Sequence, residues 1–211
     1  MTKKLLFLAV AAFCTLAFTS CGSQKDIATM QQQSAAKRIG NYKQISKKIQ
    51  KEGFEIVGLN TLDNAVYQHL VSLSGGGKEV IGMAEGFKSE NVGRQVAKNN
   101  AIIDYATTES NTIRGKITSN TFFEGVPATE FDKFYAAYQR HIQINLDGVL
   151  TESFSVISRN KKDGANRYRI YFIADDEKAK SMRLRALERA VVETKTAQEY
   201  ATEIEKFINE E

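Results

Sequence analysis

The 211-residue chain contains two cysteines, one proline, two histidines and no tryptophan. Cys14 sits in the apolar core of the N-terminal segment, which leaves Cys21 without a disulfide partner, so the domain must rely on packing. His69 and His141 belong to no local ligand spacing, and neither a metal nor another cofactor is expected. With Pro127 as the single proline, long uninterrupted helices are allowed. Charge of either sign is scarce as an excess: 29 basic residues face 25 acidic ones, and Lys3 and Lys4 account for half the difference. Such a balance gives no argument for a nucleic-acid partner. The longest apolar run, residues 5–18, is shorter than the ~20 residues a membrane-crossing helix needs.

What is present begins with that run. Lys3 and Lys4, then Leu5 to Phe18, then the small residues Thr19 and Ser20, have the layout of a bacterial secretory signal over residues 1–20. Cysteine follows directly, in LAFTSCGSQKD (16–26). This stretch resembles the lipobox of bacterial lipoproteins, with Phe18 where most carry leucine. The resemblance implies lipidation of Cys21 through sulfur-linked palmitate-like chains, cleavage before it and acylation of the new amine. Three chains exceed the two-signal requirement for stable anchoring. Gly22 replaces the acidic residue that commonly retains lipoproteins at the inner membrane, so the implied location is the outer membrane, facing the periplasm or the exterior. Without residues 1–20 the chain carries 27 basic and 25 acidic residues. Residues 21–30 read as a lipidated tether and 31–211 as a single α+β domain, with a helical extension from about residue 176.

The patterning within the domain is helix and strand in turn. Ala35, Ile39, Tyr42, Ile45 and Ile49 form a helical stripe ending near Gly53. FEIVGL (54–59) is a short strand candidate, and residues 60–77 are ambiguous up to the glycine run. EVIGMAEGFKS (79–89) reads as a strand whose Gly82, Ala84 and Gly86 share one face, which predicts a helix crossing closely over it. That helix follows, capped by Ser89 or Asn91, with Val92, Val96, Ile102, Ile103, Ala106, Ile113 and Ile117 as its apolar stripe. A second helix covers 130–145. In 149–160 Leu150, Glu152, Phe154 and Val156 fall on one face. In 167–174 Tyr168, Ile170, Phe172 and Ala174 face one way, and Arg167, Arg169 and Tyr171 the other. Asp163-Gly164 marks a hairpin turn between them. Asp175 or Asp176 caps a final helix whose stripe runs from Leu187 to Ile208.

The run from Gly82 to Ile117, the LDGVLTESFSVISRN strand and the tyrosine-bearing RYRIYFIA strand resemble the LPP-twenty-type family of bacterial outer-membrane lipoproteins, over roughly residues 79–187. The resemblance implies an antiparallel sheet of three to four strands with long helices on one face. It implies no enzymatic activity, and relatives assemble into envelope structures. The residues themselves offer little catalysis. SGGGK (74–78) lacks the first glycine and the Ser/Thr of a phosphate loop, and no serine occupies a nucleophile elbow. We therefore expect a non-catalytic, lipid-anchored envelope protein acting by assembly or partner binding, either as a homo-oligomer or with other envelope proteins. The alternative is a protein that captures a small lipid or glycan in a groove between helices and sheet. Arg167, Arg169 and Tyr171 are the candidate binding strip, against an ordinary solvated face. The small-residue stripe of the final helix suits either packing on its own domain or self-association.

Overall fold

The structure, a computed structural model, describes residues 36–146, 148–160 and 164–209. The expected signal, Cys21 and the tether lie outside the described residues. A helical stretch at 36–40 precedes α1 (Tyr42–Lys51), and Gly53 stops it by taking φ +84°, a left-handed conformation without penalty for glycine. The strand expected over 54–59 shrinks to β1 (Glu55–Ile56), because the chain bends through 57–60 into a helix. That helix, α2 (Leu62–Ser74), resolves the ambiguous stretch, and Thr61 caps it by accepting the Asn64 amide at 3.3 Å.

β2 (Lys78–Phe87) then leads into the 30-residue α3 (Glu90–Ser119), capped by Ser89. Short 3-10 turns at Thr121–Phe123 and Ala128–Phe131 connect it to α4 (Asp132–Asn145). The hairpin β3 (Leu150–Ser158) and β4 (Asn166–Ala174) follows, with Gly164 at φ +71° in the turn. Asp175 caps α5 (Asp176–Val192) by accepting the Lys178 amide at 2.9 Å. The described residues thus form an α+β fold around an antiparallel sheet of order β1-β3-β4-β2.

One sheet face carries α3, laid across β2 and β4, with α4 and α5 stacked against it. The close approach predicted at Gly82 is present: a Cβ there would stand 2.0 Å from the Ala97 carbonyl oxygen and 3.0 Å from the Ala101 Cβ. This contact shifts the phase of the helix. Gly93, Ala97 and Ala101 face the sheet, while Val92 and Ile103, expected in the apolar stripe, are about half exposed. Only small side chains fit where the backbones approach this closely. Gly86 does not join the stripe; it takes φ +77° in a bulge between Glu85 and Phe87. Further along α3, Ala106, Ile113 and Ile117 are buried as expected.

The opposite face is covered by the N-terminal pair α1 and α2, with Ile49, Leu62, Val66 and Leu70 against Phe154, Val156 and Tyr171. β3 contributes to both cores through a bulge. Leu150 and Glu152 oppose Ala174 and Phe172 on the α3 side; beyond Ser153 the parity flips, and Phe154 and Val156 face α1 and α2. The single shared face expected for these four residues is therefore split in two.

The final helix is also not continuous. Thr194 takes an extended conformation, and Tyr200 interrupts the chain again, giving α6 (Lys195–Glu199) and α7 (Ala201–Asn209). These breaks fold the chain back, so Ala197, Ile204 and Ile208 are fully buried in the α3–α5 core. The small-residue stripe packs on its own domain.

Two glycines give opposite predictions. Gly82→Ala should cost about 3 kcal/mol or more, because backbone must move to admit the methyl. Gly115→Ala, inside α3 with open space around its Cβ position, should gain about 0.5–1 kcal/mol. Urea denaturation of both variants checks the pair.

Candidate functional site

β4 alternates Arg167, Arg169 and Tyr171 onto the α1–α2 face, as its sequence pattern requires, but this face is not open. Phe54, just past α1, lies beneath both guanidinium groups, 4.9 Å from Arg167 and 4.5 Å from Arg169. Arg167 donates to the Glu52 carbonyl at 2.8 Å and to Ser158 Oγ at 3.2 Å, satisfying a carbonyl left bare where α1 ends. Arg169 bonds Glu52 Oε2 at 3.1 Å and Tyr171 Oη at 3.3 Å. Tyr171 is 7% exposed and stacks on Phe154 at 4.2 Å; burial pushes its phenol above the ordinary value, with Arg169 working against the shift. The structure brings the three candidates together, as a clamp that holds the end of α1 on the sheet.

The histidines sit beside carboxylates. His69, on the buried face of α2, lies edge-on to Phe154 and Tyr171, and its Nε2 is 2.7 Å from Glu79 Oε1. Arg38 stands 3.6 Å from the same carboxylate. The His69 hydrogen bond holds Glu79 below the usual carboxylate range, against the burial that acts the other way. His141 Nε2 is 2.7 Å from Glu193 Oε1, and Arg140 pairs with the same carboxylate, tying α4 to the end of α5. Among the described residues no three His, Cys, Asp or Glu side chains come together as a metal site, and no helix is long and apolar enough to cross a membrane.

A second buried cluster lies between α3 and α5. Glu109 and Arg183, both at most 5% exposed, approach to 3.6 Å; Lys78 reaches Glu109 at 3.6 Å, and Arg183 contacts Tyr105 Oη at 3.4 Å. Burial, with the Glu109 charge adding to it, pushes Tyr105 up to about 12. Sequence reading passed over this group, although a glutamate falling between Ala106 and Ile113 on an apolar face was a visible signal.

A groove of about 420 Å³ runs between the start of α3 and the sheet. Asn91, Arg94, Gln95 and Lys98 form its upper wall, and Leu150, Ile170 and Phe172 its floor. Glu152, turned to this side by the Ser153 bulge, meets Arg94 at 2.6 Å across it. It exists because α3 covers β2 and β4 and leaves this part of β3 open. Comparison with protein-family models, with curated proteins and with solved structures gives no match to this chain.

Two measurements test these assignments. Arg183→Met should cost about 1–3 kcal/mol by leaving the buried Glu109 carboxylate to the more exposed Lys78, whereas Arg183→Met with Glu109→Leu should recover most of that loss in the same denaturation assay. Because Glu79 titrates below its ordinary value of 4.5, its pair with His69 is fully stabilising above that pH and is lost as pH falls through the lowered folded value. Thermal melts below pH 4.5 should therefore decline more steeply for the unmodified chain than for Glu79→Gln.

Proposed function

We propose that the chain is a lipid-anchored lipoprotein of the LPP-twenty type, held at the outer membrane through Cys21, that acts by assembly or partner binding and not by catalysis. The observation that carries this reading is the cysteine placed directly after a basic, then apolar, then small-residue N-terminus. Two features of the fold support the binding role. The clusters that could have suggested chemistry are engaged with one another, as the α1 clamp and the α3–α5 ion group. In addition, β2 ends the sheet as a ten-residue edge strand with no strand beside it among the described residues. Such an edge is a template for a further strand; on it the Met83 carbonyl accepts from the Asn100 side-chain amide at 2.8 Å.

Cys21→Ala should abolish acyl labelling and membrane fractionation; unchanged labelling would refute the anchor. Crosslinking in intact cells should recover a second copy or another envelope protein. Met83→Lys, at a half-exposed position on the β2 edge, should reduce that yield several-fold without lowering stability by more than about 0.5 kcal/mol.

A second reading is favoured by the groove at Arg94 and Glu152, which lies between helix and sheet as capture of a small lipid or glycan requires. Native mass spectrometry should then show a co-purifying mass that Gln95→Trp, filling the groove, displaces.

A further inference from the structure

The surplus positive charge of the domain is confined to one layer. Residues 36–76 carry six basic residues, Lys37, Arg38, Lys43, Lys47, Lys48 and Lys51, all within 36–51, where no acid occurs. The acids of this layer are Glu52, Glu55 and Asp63, and the first two are engaged by Arg169 and Arg159 of the sheet hairpin. Residues 77–211, by contrast, hold twenty basic and twenty-one acidic residues.

The fold directs this charge outward. Ser46 and Ile49 are buried against the domain, so the opposite side of α1 carries the lysines. Lys43, Lys47 and Lys51 recur every four residues and are exposed, and neither they nor Lys48 meets a carboxylate among the described residues. Lys37, Lys48 and Arg38, the last paired with Glu79 at 3.6 Å, line a surface hollow of about 550 Å³ with Asn41 and Gln44 on the flank of the same helix. On the neighbouring α2, Tyr67 and Val71 are exposed one turn apart, and Tyr67 touches Tyr42 of α1 edge-on at 5.4 Å. Cations over a hollow, with an exposed tyrosine and valine on the neighbouring helix, match a phospholipid surface, with phosphates at the lysines and the apolar pair at the headgroup boundary.

Chain length brings the two together. Fourteen residues separate Cys21 from residue 36, a reach of at most about 50 Å when extended, and α1 is the first long helix after them. We propose that α1 docks its Lys43–Lys47–Lys51 face on an anionic phospholipid bilayer, so that this layer lies on the membrane and the α3–α5 layer points away from it. The orientation rests on the lipid anchor at Cys21. The apolar side of α1 is occupied by α2, so the contact is electrostatic, without insertion of the helix, and salt should weaken it.

The test uses the full chain purified from membranes and placed on vesicles of pure phosphatidylcholine or of phosphatidylcholine with 30% phosphatidylglycerol, both containing a headgroup quencher. A fluorophore is attached at Gln44→Cys or, on the far side, at the exposed Val192→Cys. Intact mass first reports whether Cys21 is acylated, which separates failure of the anchor from failure of the docking. Expected is quenching of the position-44 label on anionic vesicles alone, reversed by 0.5 M salt, with the position-192 label unaffected. Lys43→Glu with Lys47→Glu and Lys51→Glu should abolish that quenching, and the salt reversal tests the same contact in the chain that keeps its lysines. For a chain without acyl groups, flotation decides: binding to anionic vesicles only, reduced about a hundredfold or more by the triple substitution, supports the docking. Equal quenching on both vesicle types, no flotation of an unacylated chain on either, or energy transfer between labelled copies without anionic lipid would overturn it, the last by assigning the face to a second copy.

Discussion

The contact between Gly82 and the Ala97 carbonyl sets the geometry of the α3 side of this molecule. At a distance that excludes even a methyl group, α3 has a narrow range of positions over β2 and β4. Its long axis then carries α4, and α4 carries α5, so the larger core is assembled outward from one backbone contact. The same contact explains why large apolar residues at the start of α3 point elsewhere. It also explains the groove, since a helix held over β2 and β4 leaves the end of β3 uncovered on that side.

The other face depends on a different kind of interaction. Arg167 and Arg169 reach from β4 to the end of α1, where they meet a backbone carbonyl, a carboxylate and the ring of Phe54. Guanidinium suits this position because its planar fork can bond at its edge while its face lies on an aromatic ring. The clamp turns the basic side of α1 away from the sheet, and the edge strand β2 lies at one border of the sheet. The proposed membrane contact uses α1 and the proposed partner contact uses β2, and the two adjoin where Arg38 pairs with Glu79 of β2.

Much of this organisation was legible along the chain. Alternation in β4 sorted Arg167, Arg169 and Tyr171 from Tyr168, Ile170 and Phe172 correctly, because strand period is a local property. Gly82 announced the crossing helix for a similar reason: a strand glycine is costly unless a neighbour occupies its space. What eluded local reading were the irregularities. A bulge at Ser153 reverses the facing of everything after it, and breaks at Thr194 and Tyr200 turn one expected helix into three pieces. None of these positions bears glycine or proline, so no residue type along the chain marks them.

The sequence by itself determined the composition of the layers: a basic first helix, a small-residue strand, a long helix, a tyrosine-bearing hairpin and an apolar C-terminal stripe. It also placed Cys21 directly after a basic, an apolar and a small-residue stretch, the pattern on which the proposed anchor rests. Tertiary structure alone decided what those surfaces meet. Arg167, Arg169 and Tyr171 read as an outward strip until α1 and Phe54 are seen lying on them, and Ile204 and Ile208 read as a possible seam until α7 folds back into the core. The physical reason is common to both. Periodicity states which residues share a face, but what covers that face is chosen by chain reversals and long-range packing, which no local pattern encodes.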